Sequence, residues 1–214
     1  MRSEYNPKIK KIISLAKKLP YFGLDDLASL ENNKTYLKIL FSRYEKSGKV
    51  IRLKRGLYVA KEYIDNIEKT GRVSSYQEFA ANILYQPSYL SLDYVLYQYN
   101  LLTDIPNNFT LITKNKTAVF LNKFGNFLYH KVKDELFCGF EIIKEGDFTI
   151  LKATKAKALF DYLYLRKNIL TDKRAFEELR LNLDNLNQKD LKELKKYSKI
   201  DGSKKIKEIL NYFE

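Results

Sequence analysis

The sequence predicts an α+β protein in two parts. Apolar residues recur at helical three-four spacing through position 47, β-prone runs alternate with turn residues between 109 and 152, and helical spacing returns to the end. At 214 residues the chain is long enough for one large domain or two small ones.

The first helix is expected over Pro7–Lys18, with Asn6 as cap, Pro7 at the first helical position, and Ile9, Ile12, Ile13 and Ala16 on one face. Leu19-Pro20-Tyr21-Phe22-Gly23 ends it, and a short helix follows over Leu24–Leu30, with Asp25 and Asp26 in its first turn. Asn33 caps a third helix over Lys34–Ser47, which Gly48 stops; Leu37, Leu40, Phe41 and Tyr44 line its inner face. Within Val50–Val59 two short β-prone runs then flank a tight turn, with Gly56 able to take positive φ. Helix, short helix, helix and basic hairpin is the order of a winged helix-turn-helix, expected over residues 1–62, with 63–71 as a polar helical linker.

Residues 72–214 are expected to form a mixed α+β domain with a helical C-terminal tail. Helices are expected over Tyr76–Tyr85 and Leu90–Asn100, on either side of Pro87. Strands follow near Phe109–Lys114, Thr117–Asn122, Phe127–Val132, Phe137–Ile143 and Phe148–Lys152. Thr154 caps a helix over Lys155–Lys167, and three helical stretches lead to Phe213.

Charge narrows the function. The formal net charge of +13 divides into +8 over residues 1–70, −1 over 71–150 and +6 over 151–214. A cationic N-terminal segment attracts polyanions and releases their counterions. In a helix-turn-helix the second helix enters the major groove of duplex DNA. That assigns base reading to Asn33, Thr35, Lys38, Ser42 and Arg43, with Lys46 at the end of the helix, and phosphate anchoring to Arg52, Lys54 and Arg55.

Three segments are similar to the AbiEi family of antitoxins, the regulatory half of bacterial type IV toxin–antitoxin and abortive-infection (phage-defence) operons. The hairpin Gly48-Lys49-Val50-Ile51-Arg52-Leu53-Lys54-Arg55-Gly56-Leu57-Tyr58 resembles that family's wing. Pro87-Ser88-Tyr89-Leu90-Ser91-Leu92-Asp93-Tyr94-Val95-Leu96, followed by Asn100-Leu101-Leu102, resembles its middle helix. Thr154-Lys155-Ala156-Lys157-Ala158-Leu159-Phe160-Asp161-Tyr162-Leu163-Tyr164-Leu165 resembles the helix after its sheet, with Lys155-Ala156 where the family usually carries proline-glutamate. The likeness runs in order over about residues 8–170.

The resemblance implies an antitoxin and transcriptional autorepressor. It would bind inverted repeats in its own promoter, with a dimer on the DNA compatible with that arrangement. It would also neutralise a nucleotidyltransferase-like toxin without a stable complex. A basic patch of Lys152, Lys155, Lys157, Arg166 and Lys167 is the expected antitoxin surface. The alternative is a stand-alone winged-helix regulator whose second domain senses a ligand or partner.

Catalysis has little to stand on. Asp134, Glu141 and Lys144 are the nearest match to a nuclease site, but Glu141 and Lys144 are three apart and would face opposite sides of a strand. His130 and Cys138 are the single members of their kinds, which leaves no internal disulfide and no multi-cysteine zinc site. Both read as structural residues. Tyr89, Tyr94, Tyr97 and Tyr99 suit RNA stacking chemically but read as packing residues. No enzyme activity, cofactor or metal is expected. The opening Met1-Arg2-Ser3-Glu4 lacks a signal-peptide core, and the apolar runs are far short of the roughly 20 residues a membrane span needs, so a cytoplasmic setting is expected.

Overall fold

The computed structural model describes residues 7–213 and is of mixed α+β class. The chain divides into two compact units. One runs through Ala80 and includes Asn122–Phe124; the other comprises Ala81–Leu121 and the chain from Gly125 onward.

In the first unit, helix α1 (Pro7–Ala16) buries Ile9, Ile12 and Ala16. The expected Asn6 cap lies outside the described residues. Strand β1 (Phe22–Gly23) follows, then a single 3-10 turn, Asp25–Leu27, where a longer helix was expected. The Asp26 carboxylate accepts from the Gly23 amide at 2.6 Å, and one turn is enough to sink Leu27 completely. A helix this short does not sustain its own nucleation cost.

Helix α2 (Lys34–Lys46) starts on Asn33, whose side-chain oxygen accepts from the Tyr36 amide at 3.0 Å. It ends in a glycine-stop motif. Gly48 takes φ +70°, its amide donates to Glu45 O, and the Lys49 amide reaches back to Tyr44 O. Strands β2 (Val50–Lys54) and β3 (Leu57–Ala60) form an antiparallel hairpin around Gly56 at φ +81°, with β3 between β1 and β2. The core of this unit is an aromatic triangle: Phe22, Phe41 and Tyr58 lie with ring centroids 4.9–5.9 Å apart, among Leu37, Leu40 and Val50.

The expected linker is mostly helix α3 (Lys61–Lys69), which buries Ile64 and Ile67. Two apolar residues three apart suffice to dock a short helix, which its polar composition concealed. Helix α4 (Val73–Leu84) begins three residues earlier than the sequence suggests. Its Tyr76 hydroxyl donates to Pro20 O at 2.9 Å, and its Gln77 amide to Phe124 O.

The second unit is built on a six-stranded sheet of order β6-β7-β5-β4-β9-β8. These strands are β4 (Ser88–Leu90), β5 (Phe109–Thr113), β6 (Ala118–Asn122), β7 (Gly125–Lys131), β8 (Phe140–Glu145) and β9 (Phe148–Ala153). Strand β4 falls in the expected break between two helices and takes in Leu90, the first residue of the second. It is antiparallel to β5 and parallel to β9. All three of its residues are buried, so the alternation that marks a half-buried strand is missing. Helix α5 is correspondingly short (Leu92–Gln98). Asn82 ties α4 to the sheet, accepting from Leu151 N at 2.6 Å and donating to Leu151 O at 3.2 Å.

The strand expected from Phe137 starts only at Phe140. A 3-10 turn (Asp134–Leu136) and Gly139 at φ +75° precede it. A Cβ on Gly139 would stand 2.3 Å from the Tyr197 hydroxyl and 3.0 Å from Lys157 Cδ. Gly139→Ala is therefore expected to lower stability by about 1–3 kcal/mol, through strain and overpacking together, and to appear as a lower urea midpoint.

Helix α6 (Lys155–Arg166), capped by Thr154, packs on α5 and on α8 (Gln188–Asp201). Helices α7 (Lys173–Glu177) and α9 (Lys204–Leu210) complete the tail. Phe176, Leu194, Tyr197, Ile206 and Ile209 are buried, so the tail belongs to this unit's core. Among the described residues no helix is long and apolar enough to cross a membrane.

Candidate nucleic-acid interface

Helix α2 has two faces. Leu37, Leu40 and Phe41 are buried, while Thr35, Lys38, Ser42, Arg43 and Lys46 are exposed. Thr35, Lys38, Ser42 and Lys46 follow one another at three-four spacing and form a single stripe. Asn33 is also exposed, but its side-chain oxygen is occupied by the Tyr36 amide, so its main job is to start the helix. Lys34 pairs with Asp25 at 2.6 Å. The Glu31 carboxyl is held below its usual range by Lys8 and by the Asn33 amide. These contacts hold the N-terminal turn of α2.

At the hairpin, Arg52 and Arg55 are exposed. Lys54 is half-buried, and burial lowers its amine pKa. The register shifts between Arg52 and Lys54, an irregularity that turns the basic end of the hairpin. The Asn122 side-chain amide donates to Leu53 O of the hairpin at 3.0 Å.

One residue of this face has no counterpart in the sequence reading. Ile39 is 49% exposed, on the outward side of α2 between Lys38 and Ser42. On a helix lying in the major groove of DNA, apolar side chains meet thymine methyl groups. An isoleucine inside a helix reads by default as core, so only the inward periodicity of Leu37, Leu40 and Phe41 signals that it faces out.

Lys157 does not belong to a surface patch as expected, and this corrects the sequence reading. Lys157 is wholly buried, ion-paired with Asp161, with the rings of Phe160, Tyr197 and Tyr89 within 5.2–5.7 Å of its amine. Lys155 pairs with Asp190 at 2.7 Å and donates to Asn185 O. Lys152 is half-buried, opposite Glu141 in the β8–β9 register. Arg166 lies 3.6 Å over the Tyr162 ring and pairs with Asp93, and Lys167 lies over Tyr164, 3.5 Å from Asp201. The physical reason is the position of α6. From Ala156 to Leu163 it is buried on every side, so Lys157 faces Asp161 rather than water.

Asp161 is the centre of this arrangement. It accepts from the Tyr89 hydroxyl at 3.0 Å and the Ser91 hydroxyl at 2.8 Å as well as from Lys157. Burial pushes its carboxyl up while these three donors pull it back. Two segments far apart in the chain, around Tyr89 and around Asp161, thus meet in one dry polar knot.

The residues weighed for catalysis stay apart. Glu141 and Lys144 face β9 at Lys152 and Thr149, on opposite sides of the strand, and Asp134 is exposed in its 3-10 turn. Among the described residues no three His, Cys, Asp or Glu side chains gather as a metal site. Cys138 donates weakly to Glu135 O. Tyr89 is buried and Tyr94 packs on Phe109 at 4.8 Å, which spends two of the four tyrosines on packing.

His130 is half-buried on β7 opposite Ile112, and burial lowers its pKa, with Arg166 acting in the same direction and Asp93 against. The folded state therefore holds the neutral imidazole, and below the ordinary histidine value near 6.5 the unfolded chain takes up the proton first. Stability is expected to fall as the pH drops below 6.5 and to be fully present above it. Urea midpoints of the wild type and His130→Gln, measured between about pH 5 and 7.5, check this. An identical pH slope in both proteins would remove His130 from the explanation.

Comparison of the chain with protein-family models and with curated proteins gives no match.

Proposed function

We propose that this chain is an antitoxin and autorepressor of the AbiEi kind, whose first unit is a winged helix-turn-helix that binds promoter DNA. The observation that carries the reading is the exposed stripe of Thr35, Lys38, Ser42 and Lys46 on α2, beside Arg52 and Arg55 on the hairpin. In this arrangement α2 reads base edges in the major groove and the hairpin holds the backbone. A helix of 13 residues is about 20 Å long, enough to lie in a groove about 12 Å wide with several side chains on bases.

The second unit serves the antitoxin role in this reading. Its support is narrower: two of the segments that resemble the family supply Tyr89, Ser91, Lys157 and Asp161, which meet in the buried knot. With Lys157 buried, that residue takes no part in the antitoxic surface.

Co-expression with the product of the neighbouring gene tests the antitoxin half. Growth rescue by the full chain is expected where that gene encodes a nucleotidyltransferase-like toxin, with no co-purification of the two. A chain that binds its promoter yet gives no rescue belongs instead to a stand-alone regulator.

A further inference from the structure

The two edges of the six-stranded sheet are built differently. At one edge, β8 carries Glu141, Lys144 and Glu145, all exposed, and charges of this kind keep an edge strand from pairing with another chain. At the other edge, β6 (Ala118-Val119-Phe120-Leu121-Asn122) has neither a charge nor a proline. Among the described residues no strand pairs with its outer side. Its side chains alternate. Phe120 turns to the inner face, its ring centroid 5.5 Å from that of Tyr85 and 5.6 Å from that of Tyr129. Val119 and Leu121 point the other way and are 67% and 76% exposed. Leu128 of β7 is half-buried and alternates with Phe127 and Tyr129, so it shares the face of Val119 and Leu121.

An open row of backbone donors and acceptors thus runs beside a strip of apolar side chains, and the pair of properties selects the occupant. A lipid surface covers Val119 and Leu121 but leaves the backbone groups of β6 without partners. A nucleic acid has no apolar body to place on them. An extended polypeptide meets both demands, since its backbone continues the ladder while every second side chain lies on the apolar strip. Charge narrows the choice further. Lys116 comes just before β6, and the Lys131 amide donates to Thr117 Oγ1 at 3.3 Å, which sets the end of β7 beside it. Both lysines are exposed, and neither has an ion-pair partner among the described residues. Residues 114–123 hold three lysines and no acid, so a second copy of β6 would bring only more positive charge to this end. A strand with carboxylates there is attracted instead.

We propose that β6 is a docking edge for an extended segment of a partner protein, apolar at alternate positions and acidic at the end that meets Lys116 and Lys131. The segment adds to the sheet as a seventh strand.

The test is an NMR titration of the full chain, without DNA, using a short peptide of alternating valine and threonine closed by glutamates at both ends. Saturable shifts of the Val119, Phe120 and Leu121 amides are expected, with hydrogen exchange slowed at alternate residues of β6, the mark of an added strand. The same peptide closed by lysines is expected to bind at least about tenfold more weakly. Val119→Thr with Leu121→Thr, both at exposed positions, is expected to weaken binding by about tenfold while keeping the strand. Lys116→Glu with Lys131→Glu is expected to turn the preference toward the lysine-closed peptide. The proposal is overturned by no saturable response of β6, by equal binding of the two peptides, or by either pair of substitutions without effect. It is also overturned by β6 shifts that follow protein concentration alone, which would make the occupant a second copy. Because DNA is absent throughout, failure here leaves the DNA reading untouched, and the reverse holds too.

Discussion

Replacing Asp161 with asparagine is expected to remove about 3–5 kcal/mol of stability, the cost of leaving a charged amine unpaired in a dry core. Lys157 and Asp161 both have no exposed side-chain surface, so water cannot replace the missing partner. Asparagine keeps the shape and still accepts from Tyr89 and Ser91, which isolates the charge as the cause. Adding Lys157→Met to Asp161→Asn should then return at least about 1 kcal/mol, since an apolar side chain of similar length suits the cage of Tyr89, Phe160 and Tyr197. Urea denaturation of the two variants measures both numbers. If the second substitution deepens the loss, the asparagine variant fails for a reason other than a stranded cation.

The second large effect concerns DNA. Arg52→Ala with Arg55→Ala removes the two exposed hairpin cations and should weaken binding to specific and random duplex alike, by about tenfold. It should also flatten the log–log salt dependence by about 1.8, near 0.9 for each phosphate that is no longer neutralised. Lys38→Ala is expected to behave differently. Its side chain stands mid-stripe on α2, so its removal should cost about 1–3 kcal/mol on the cognate site and relax preference at one base position. Equal weakening on cognate and random DNA for Lys38→Ala would remove α2 from base reading.

The two units differ in how much of them the sequence made visible. In the first, helices and hairpin follow from local rules. Asn33 caps, Gly48 stops, Gly56 turns, and the spacing of Leu37, Leu40 and Phe41 tells inside from outside without any tertiary knowledge. The face proposed to meet DNA was legible for that reason, apart from Ile39. In the second unit, burial on all sides erases those rules. Strand β4 has no polar residue facing water to set a period of two, so Ser88 and Tyr89 read as the break between two helices and Leu90 as the start of the second. Lys157 was read as surface because lysines usually are, and nothing local shows that Asp161 one turn on is its partner and that Tyr89 closes the site from strand β4. Gly139 is similar: its reason is the Tyr197 hydroxyl, 58 residues away in the chain.

The measurement closest to the central proposal is fluorescence anisotropy of the full chain on its own upstream promoter fragment, run beside a scrambled duplex of equal length over a range of salt. Tight binding to the promoter, at least about a thousandfold better than to the scrambled duplex and steeply weakened by salt, is the expected result. Equal affinity for both fragments, or none for either even in dilute buffer, would contradict it.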